Sequence, residues 1–154
     1  MINVGIISVS DRAFEKVYED RGIPEIEKIF SIDQDFNILK KEIIPDDKEK
    51  IKNKLIEFCD QDNLDIVVTT GGTGPSIRDV TPDATLEVIE REFSGFGEYM
   101  RLESFKYSKN AILSRQTAGT RGNTFILNLP GNPKSISEIL PLIMDQLKHF
   151  IEKR

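Results

Sequence analysis

The sequence predicts an α/β fold, a single domain over residues 1–154 in which helices cover both faces of a mostly parallel sheet to make three layers. Three observations carry that expectation. Short β-branched runs such as Ile2–Val9 are apolar at successive rather than alternate positions, the pattern of strands buried on both faces. These runs alternate with segments of helical periodicity, which argues for parallel strands joined by crossover helices. With 154 residues, 38% hydrophobic and 31% charged, the chain buries a full core without a disulfide or metal staple.

The elements follow in order. The first strand, 2–9, discharges into the polar Ser10-Asp11-Arg12. Ile26, Ile29 and Phe30 are helically spaced behind Pro24, which suits a first helical position, so a helix is expected over 24–31. Phe36, Ile38, Ile43 and Ile44 mark a strand ending at Pro45-Asp46-Asp47, and Ile51, Leu55, Phe58 and Cys59 mark the next helix. A third strand, 65–70, runs into Gly71-Gly72-Thr73-Gly74-Pro75. The helix beyond it, from Pro82 through Leu86 and Ile89 to Arg91, has Thr81 as its expected N-cap and Asp83 in its first turn. A helix over 97–107, strands over 116–119 and 124–129 about an Arg121-Gly122-Asn123 turn, and one last helix after Pro133 complete the chain.

Charge and cysteine content exclude several classes. With 21 Lys+Arg against 26 Asp+Glu the net charge is −5, which disfavours a general nucleic-acid or anionic-membrane surface, so any anion must be captured locally. Cys59 stands alone on an apolar helical stripe and reads as a buried small hydrophobe in a reducing compartment. No basic leader precedes the first strand and no apolar run reaches ~18 residues, so a soluble cytoplasmic location is expected, without a membrane. One Cys and one His cannot make a zinc site, and His149 on the terminal helix reads as a surface or packing residue. Phe93, Phe96 and Phe105 read as core or subunit contact.

Ligands of such folds bind where loops leave the carboxyl ends of the strands. Thr70, Gly71, Gly72, Thr73 and Gly74 read as a phosphate cradle, because glycines let backbone N–H groups approach an oxyanion; a tight structural turn is the plain alternative. It is neither a Walker A loop nor a dinucleotide fingerprint. Asp79 beside it, with Asp46 from a neighbouring strand end, suffices to hold Mg²⁺ against phosphate oxygens, and Asp47 could exchange roles with Asp46. In Gly131-Asn132-Pro133-Lys134, Asn is a good N-cap and Pro a good first residue, while Lys134 is misplaced against the helix dipole unless an anion lies nearby. Arg12, Arg78, Arg115 and Lys134, all in loops of an acidic chain, suit a ligand with several phosphates.

Taken together, Ser8 to Arg12, Tyr18 to Pro24, Ile44-Pro45-Asp46, Thr69 to Pro75, Arg78 to Ala84, Gly95 to Glu98, Leu113-Ser114-Arg115 and Leu129 to Lys134 resemble the MogA/MoaB-type molybdopterin adenylyltransferases over nearly the whole chain. The resemblance implies a homotrimer in which Mg-ATP adenylylates the terminal phosphate of molybdopterin, releasing pyrophosphate, with the product handed to a molybdenum insertase. It implies Asp46 and Asp79 as catalytic and Mg²⁺-holding residues and the 71–74 loop as phosphate cradle. Ser10 and Asp11, Thr81 and Pro82, Ser114 and Arg115, and Gly131 to Lys134 would contact pterin or nucleotide. Two alternatives share the fold: a molybdopterin-binding MoaB-like protein without turnover, and a hydrolase of pyrophosphate-linked nucleotides.

Overall fold

The computed structural model describes all 154 residues. Strands β1 (Ile2–Val9), β2 (Phe36–Ile44), β3 (Ile66–Thr70), β4 (Arg91–Glu92), β5 (Ala118–Arg121) and β6 (Thr124–Leu129) form one sheet in the order β2-β1-β3-β6-β5-β4. The first four in that spatial order are parallel, and β5 and β4 add on antiparallel. Helices α1 (Asp11–Phe14), α2 (Gly22–Phe30), α3 (Lys48–Ile56), α4 (Thr81–Val88), α5 (Ser94–Phe105), α6 (Pro133–Ile139) and α7 (Met144–Lys153) connect them. The mostly parallel α/β architecture expected from the sequence is the one observed.

The continuous apolar runs divide between two cores, because successive side chains of a strand point to opposite faces. Val4 and Ile6 of β1, Ile66 and Val68 of β3, and Phe125, Leu127 and Leu129 of β6 face one core of 19 buried residues, shared with α2, α6 and α7. Ile7, Val9, Val67 and Ile126 face the other, of 12, under α3 and α4. The larger core holds an aromatic cluster in which the Phe125 ring lies 4.8 to 5.6 Å from those of Phe96, Phe150 and Phe93. Phe93 and Phe96 therefore serve the core as read, whereas Phe105 remains partly exposed.

On the second face one polar knot replaces apolar packing. Fully buried Asn128 donates through Nδ2 to the hydroxyls of Thr69 and Thr85, both at 3.0 Å, and accepts from the Thr117 amide at 3.3 Å. It ties β3 and β6 to α4 in one register, with each donor and acceptor satisfied, as a buried polar group requires.

Several boundaries differ from the sequence reading for identifiable reasons. Helix α2 starts at Gly22, so Pro24 is its third residue and not its first; Asp20 accepts the Ile23 amide at 2.9 Å and supports the earlier start. The short α1 was not anticipated; Ser10 caps it, accepting from the Ala13 amide at 3.2 Å. Thr81 is the first residue of α4 rather than its N-cap, and that helix stops at Val88 because Arg91 and Glu92 pair with β5. Strand β3 begins at Ile66 and α5 covers 94–105 rather than 97–107. Strand β5 lies at 118–121 rather than 116–119, set by pairing with β6. The single last helix is two, broken by a 3₁₀ turn over Leu140–Leu142 that contains Pro141, a residue unable to continue the α6 ladder.

Replacing Phe125 by Ala should lower unfolding free energy by about 3–5 kcal/mol in urea titration, since the ring is fully buried among three others. Burial pushes the Cys59 thiol up to about 12. At pH 8 it should resist iodoacetamide in the native protein and react once unfolded, read by mass spectrometry.

Candidate functional site

The carboxyl ends of β1, β3 and β6 open into a cleft of about 340 Å³. It gathers Ser10, Asp46, Thr70, Gly71, Gly72, Asp79, Gly131 and Pro133, residues more than 120 positions apart that the sequence reading assigned to one site. Strand β3 delivers the glycine loop, β1 delivers Ser10, β2 leads through Pro45 to Asp46, and β6 leads into the turn before α6.

The loop follows a path that only glycine permits. Gly71 has φ +93°, and a Cβ there would sit 2.4 Å from the Val9 carbonyl oxygen. Gly72, at φ +67°, would place a Cβ 2.3 Å from the Thr81 hydroxyl. The turn is anchored by Gly71 N–H to Leu129 O at 3.1 Å, Thr81 N–H to Gly72 O at 3.1 Å and Arg115 N–H to Thr73 O at 2.8 Å. The amides of Gly72, Thr73 and Gly74 reach no backbone acceptor; of the three residues Gly72 lines the cleft, while Thr73 is buried. Thr81 and Pro82 are buried behind the loop, with the Thr81 Oγ1 unpartnered.

Two carboxylates bracket this loop. Asp46 accepts the Asp11 amide through Oδ2 at 3.0 Å, and its Oδ1 lies against Gly72. Asp79 accepts the Ser76 amide at 3.0 Å through Oδ2, the oxygen that lies against Gly74. Asp47 caps α3, accepting from the Lys50 amide at 3.1 Å, and Asp46 is the one of the two that lines the cleft. Burial raises the Asp46 pKa above the ordinary carboxylate value, and the nearby Asp11 and Asp79 charges push the same way against the Asp11 amide and Arg78. Asp11 is held low, chiefly by its hydrogen bond from Arg78. No group of three or more His, Cys, Asp or Glu is arranged as a metal cage. A divalent ion carried on phosphates needs only one or two carboxylates and water, and Asp46 with Asp79 fits that requirement.

The basic residues are placed differently from the sequence reading. Arg78 is paired with Asp11, and Arg12 lies over the Tyr18 ring at 5.5 Å. Arg115 binds Asp83 with both terminal nitrogens, at 3.1 and 3.0 Å, and also donates to the carbonyls of Gly74 and Asp79. It therefore clamps the glycine loop to α4 instead of offering a free charge, and Asp83 is held low in pKa by that clamp. Asn132 caps α6 by accepting the Lys134 amide at 2.9 Å, and the Lys134 residue is exposed. Ser114 lies outside the cleft, in an adjoining cavity of about 160 Å³ that also touches Pro130.

Six more residues line the cleft, Ser8, Val9, Tyr18, Asp20, Arg21 and Gly22, none of them given an individual role by the sequence reading. The Tyr18 hydroxyl is 2.8 Å from Ser10 Oγ, and Asp20 accepts from Ser8 Oγ at 2.6 Å while capping α2. Only the spacing of Tyr18 and Asp20 ahead of Gly22 hinted at them. Asn128 gave no local signal at all, since one polar residue in an apolar strand has many readings.

A glycine loop flanked by two carboxylates thus occupies the carboxyl end of the parallel sheet, the edge at which ligands of such folds bind. Residues 5–149 match the family described as "Probable molybdopterin binding domain", and the chain belongs to that family. It is 45% identical over 153 residues to a molybdopterin adenylyltransferase of Helicobacter pylori J99, covering 98% of this chain and 86% of that protein. The Escherichia coli K12 molybdopterin adenylyltransferase is 47% identical over 146 residues, covering 94% of this chain and 74% of the relative. Among solved structures, the molybdopterin biosynthesis enzyme MoaB of Thermus thermophilus superposes with a TM-score of 0.88 at 38% identity, over 99% of this chain and 98% of that one.

Gly71→Ala should destabilise the protein by at least about 2 kcal/mol, combining left-handed strain with a steric clash. Gly122→Ala, at φ +57° with open space around its Cβ, should cost only about 1 kcal/mol. Paired urea titrations compare the two.

Proposed function

We propose that this chain is a molybdopterin adenylyltransferase that uses Mg-ATP to transfer AMP to the terminal phosphate of molybdopterin. One observation carries the reading at the site: Asp46 faces the glycine loop at Gly72 and Asp79 faces it at Gly74, beside three amides without backbone acceptors. The 45–47% identity to proteins of that name supports the same chemistry.

A phosphate oxygen of molybdopterin attacks the α-phosphorus of ATP, and the bond between that phosphorus and the bridging oxygen to the β-phosphate breaks as pyrophosphate leaves. The nucleophile comes from the substrate, so the chain needs no catalytic His or Cys. Its task is to hold two anionic groups in line and to offset their repulsion. The loop amides of residues 72–74 bind phosphate oxygens, and Ser10 with Asp11 lines the entrance. Asp46 and Asp79 would hold Mg²⁺, which would supply charge neutralisation on the transferring phosphates. The raised pKa of Asp46 follows from burial among neighbouring carboxylates, a setting that a cation stabilises. We place the reaction in the cytoplasm, in a homotrimer that passes the adenylylated product to a molybdenum insertase. No helix is long and apolar enough to cross a membrane.

Incubation with molybdopterin, ATP and Mg²⁺ should release pyrophosphate and adenylylated pterin in equal amounts. Asp46→Asn and Asp79→Asn should fold normally and lose at least about 100-fold in rate, the scale of removing one electrostatic stabiliser. Tight pterin binding by the wild type without either product would instead identify a binding protein.

A further inference from the structure

One polar atom beside the cleft has no task in the mechanism above. Thr81, the first residue of α4, is wholly buried, and its Oγ1 is sealed from solvent without a hydrogen-bond partner. Valine has nearly the same shape and would carry no such penalty, so the hydroxyl calls for an acceptor in the working state of the protein. The resemblance cast Thr81 as a ligand contact, but a side chain with no exposed surface acts on a ligand only through another residue.

Gly72 shows which residue that is. A Cβ on this glycine would lie 2.3 Å from Thr81 Oγ1 and 3.2 Å from Asp46 Oδ1, so the hydroxyl and the carboxylate oxygen border the same small space. Asp46 Oδ2 takes the Asp11 amide at 3.0 Å, whereas Oδ1 receives no hydrogen bond from the chain. A donor without an acceptor thus meets an acceptor without a donor beside the bare Cα of Gly72. Any side chain at position 72 would wedge the two apart, a demand for glycine separate from its φ of +67°.

The rest of Thr81 is fixed from the core. Its amide donates to the Gly72 carbonyl at 3.1 Å, and its carbonyl accepts the Thr85 hydroxyl at 2.9 Å. The Thr85 hydroxyl in turn accepts from Asn128 Nδ2 at 3.0 Å. The backbone of Thr81 is therefore held to sheet and loop alike, and rotation about its Cα–Cβ bond is the freedom left to the hydroxyl.

We infer that Thr81 is a positioning residue for the transfer reaction: its hydroxyl donates to Asp46 Oδ1 across Gly72 when the cleft is loaded, and so fixes the direction in which that carboxylate faces the phosphates. With the Asp11 amide on Oδ2 and the Thr81 hydroxyl on Oδ1, the carboxylate loses its rotation about the Cβ–Cγ bond. Asp46 then enters the reaction already oriented, the condition under which a stabilising charge acts without reorganisation. The inference rests on the proposed transferase function for the reaction that it assists.

Thr81→Val, nearly isosteric, and Thr81→Ser, which keeps the hydroxyl, separate this role from packing. Thr81→Val should lower kcat at least about 10-fold, the scale of removing a group that orients a metal-holding side chain, with both KM values within about 3-fold of wild type. Its thermal midpoint should equal or exceed that of the wild type, because an unpaired buried hydroxyl is gone. Thr81→Ser should stay within about 3-fold of wild type in kcat. In an Asp46→Ala background Thr81→Val should change the residual rate by less than about 2-fold, since the hydroxyl acts through the carboxylate. A crystal structure of the wild type with Mg²⁺ and α,β-methylene-ATP should place Thr81 Oγ1 within about 3 Å of Asp46 Oδ1. An unchanged kcat in Thr81→Val, an equal loss in Thr81→Ser, or atoms beyond hydrogen-bonding reach in that crystal overturns the inference. Wild type that forms no pyrophosphate overturns the transferase reading instead, and the crystal then decides whether Thr81 holds Asp46.

Discussion

Three parallel strands, β1, β3 and β6, end side by side about 5 Å apart, and the chain must turn away from β3 with no room for a side chain. Gly71 sits where a Cβ would meet the Val9 carbonyl of the neighbouring strand, and its own amide is already committed to Leu129 on the other side. That crowding forces the left-handed turn, and the turn sets Gly71 and Gly72 in the wall of the cleft. The cleft exists because a parallel sheet brings its carboxyl ends, and hence the chain's exits, to one edge.

The charge arrangement follows from the same crowding. Asp46 and Asp79 are pressed toward the glycine loop from opposite sides, each steadied by one backbone amide, while Arg78 and Arg115 are spent on Asp11 and Asp83. The cleft is thus lined by exposed backbone at the glycine loop and acidic through its side chains.

Much of this was legible one residue at a time. The β-branched runs announced buried strands because a doubly covered strand cannot alternate. The glycine loop, Asp46, Asp79 and the Asn132-Pro133 helix start were legible because each combines a conformational demand with a chemical one within a few residues. Helix ends were less so: α2 begins early on the strength of Asp20, and α4 ends early because Arg91 and Glu92 find a strand partner far along the chain in β5. Tyr18 as a cleft residue and the loss of Arg115 as a free cation depend on partners elsewhere in the chain.

The sequence by itself determined the class of fold, the parallel strands, the glycine loop and the residue types around it, because these rest on local periodicity, backbone freedom and composition. Only the tertiary structure decided which carboxylate of Asp46 and Asp47 faces the loop, which arginines are paired with carboxylates, and how Asn128 locks α4 to the sheet. Each of these depends on what lies across space at hydrogen-bonding distance, and a partner tens of residues away leaves no periodic trace in the chain.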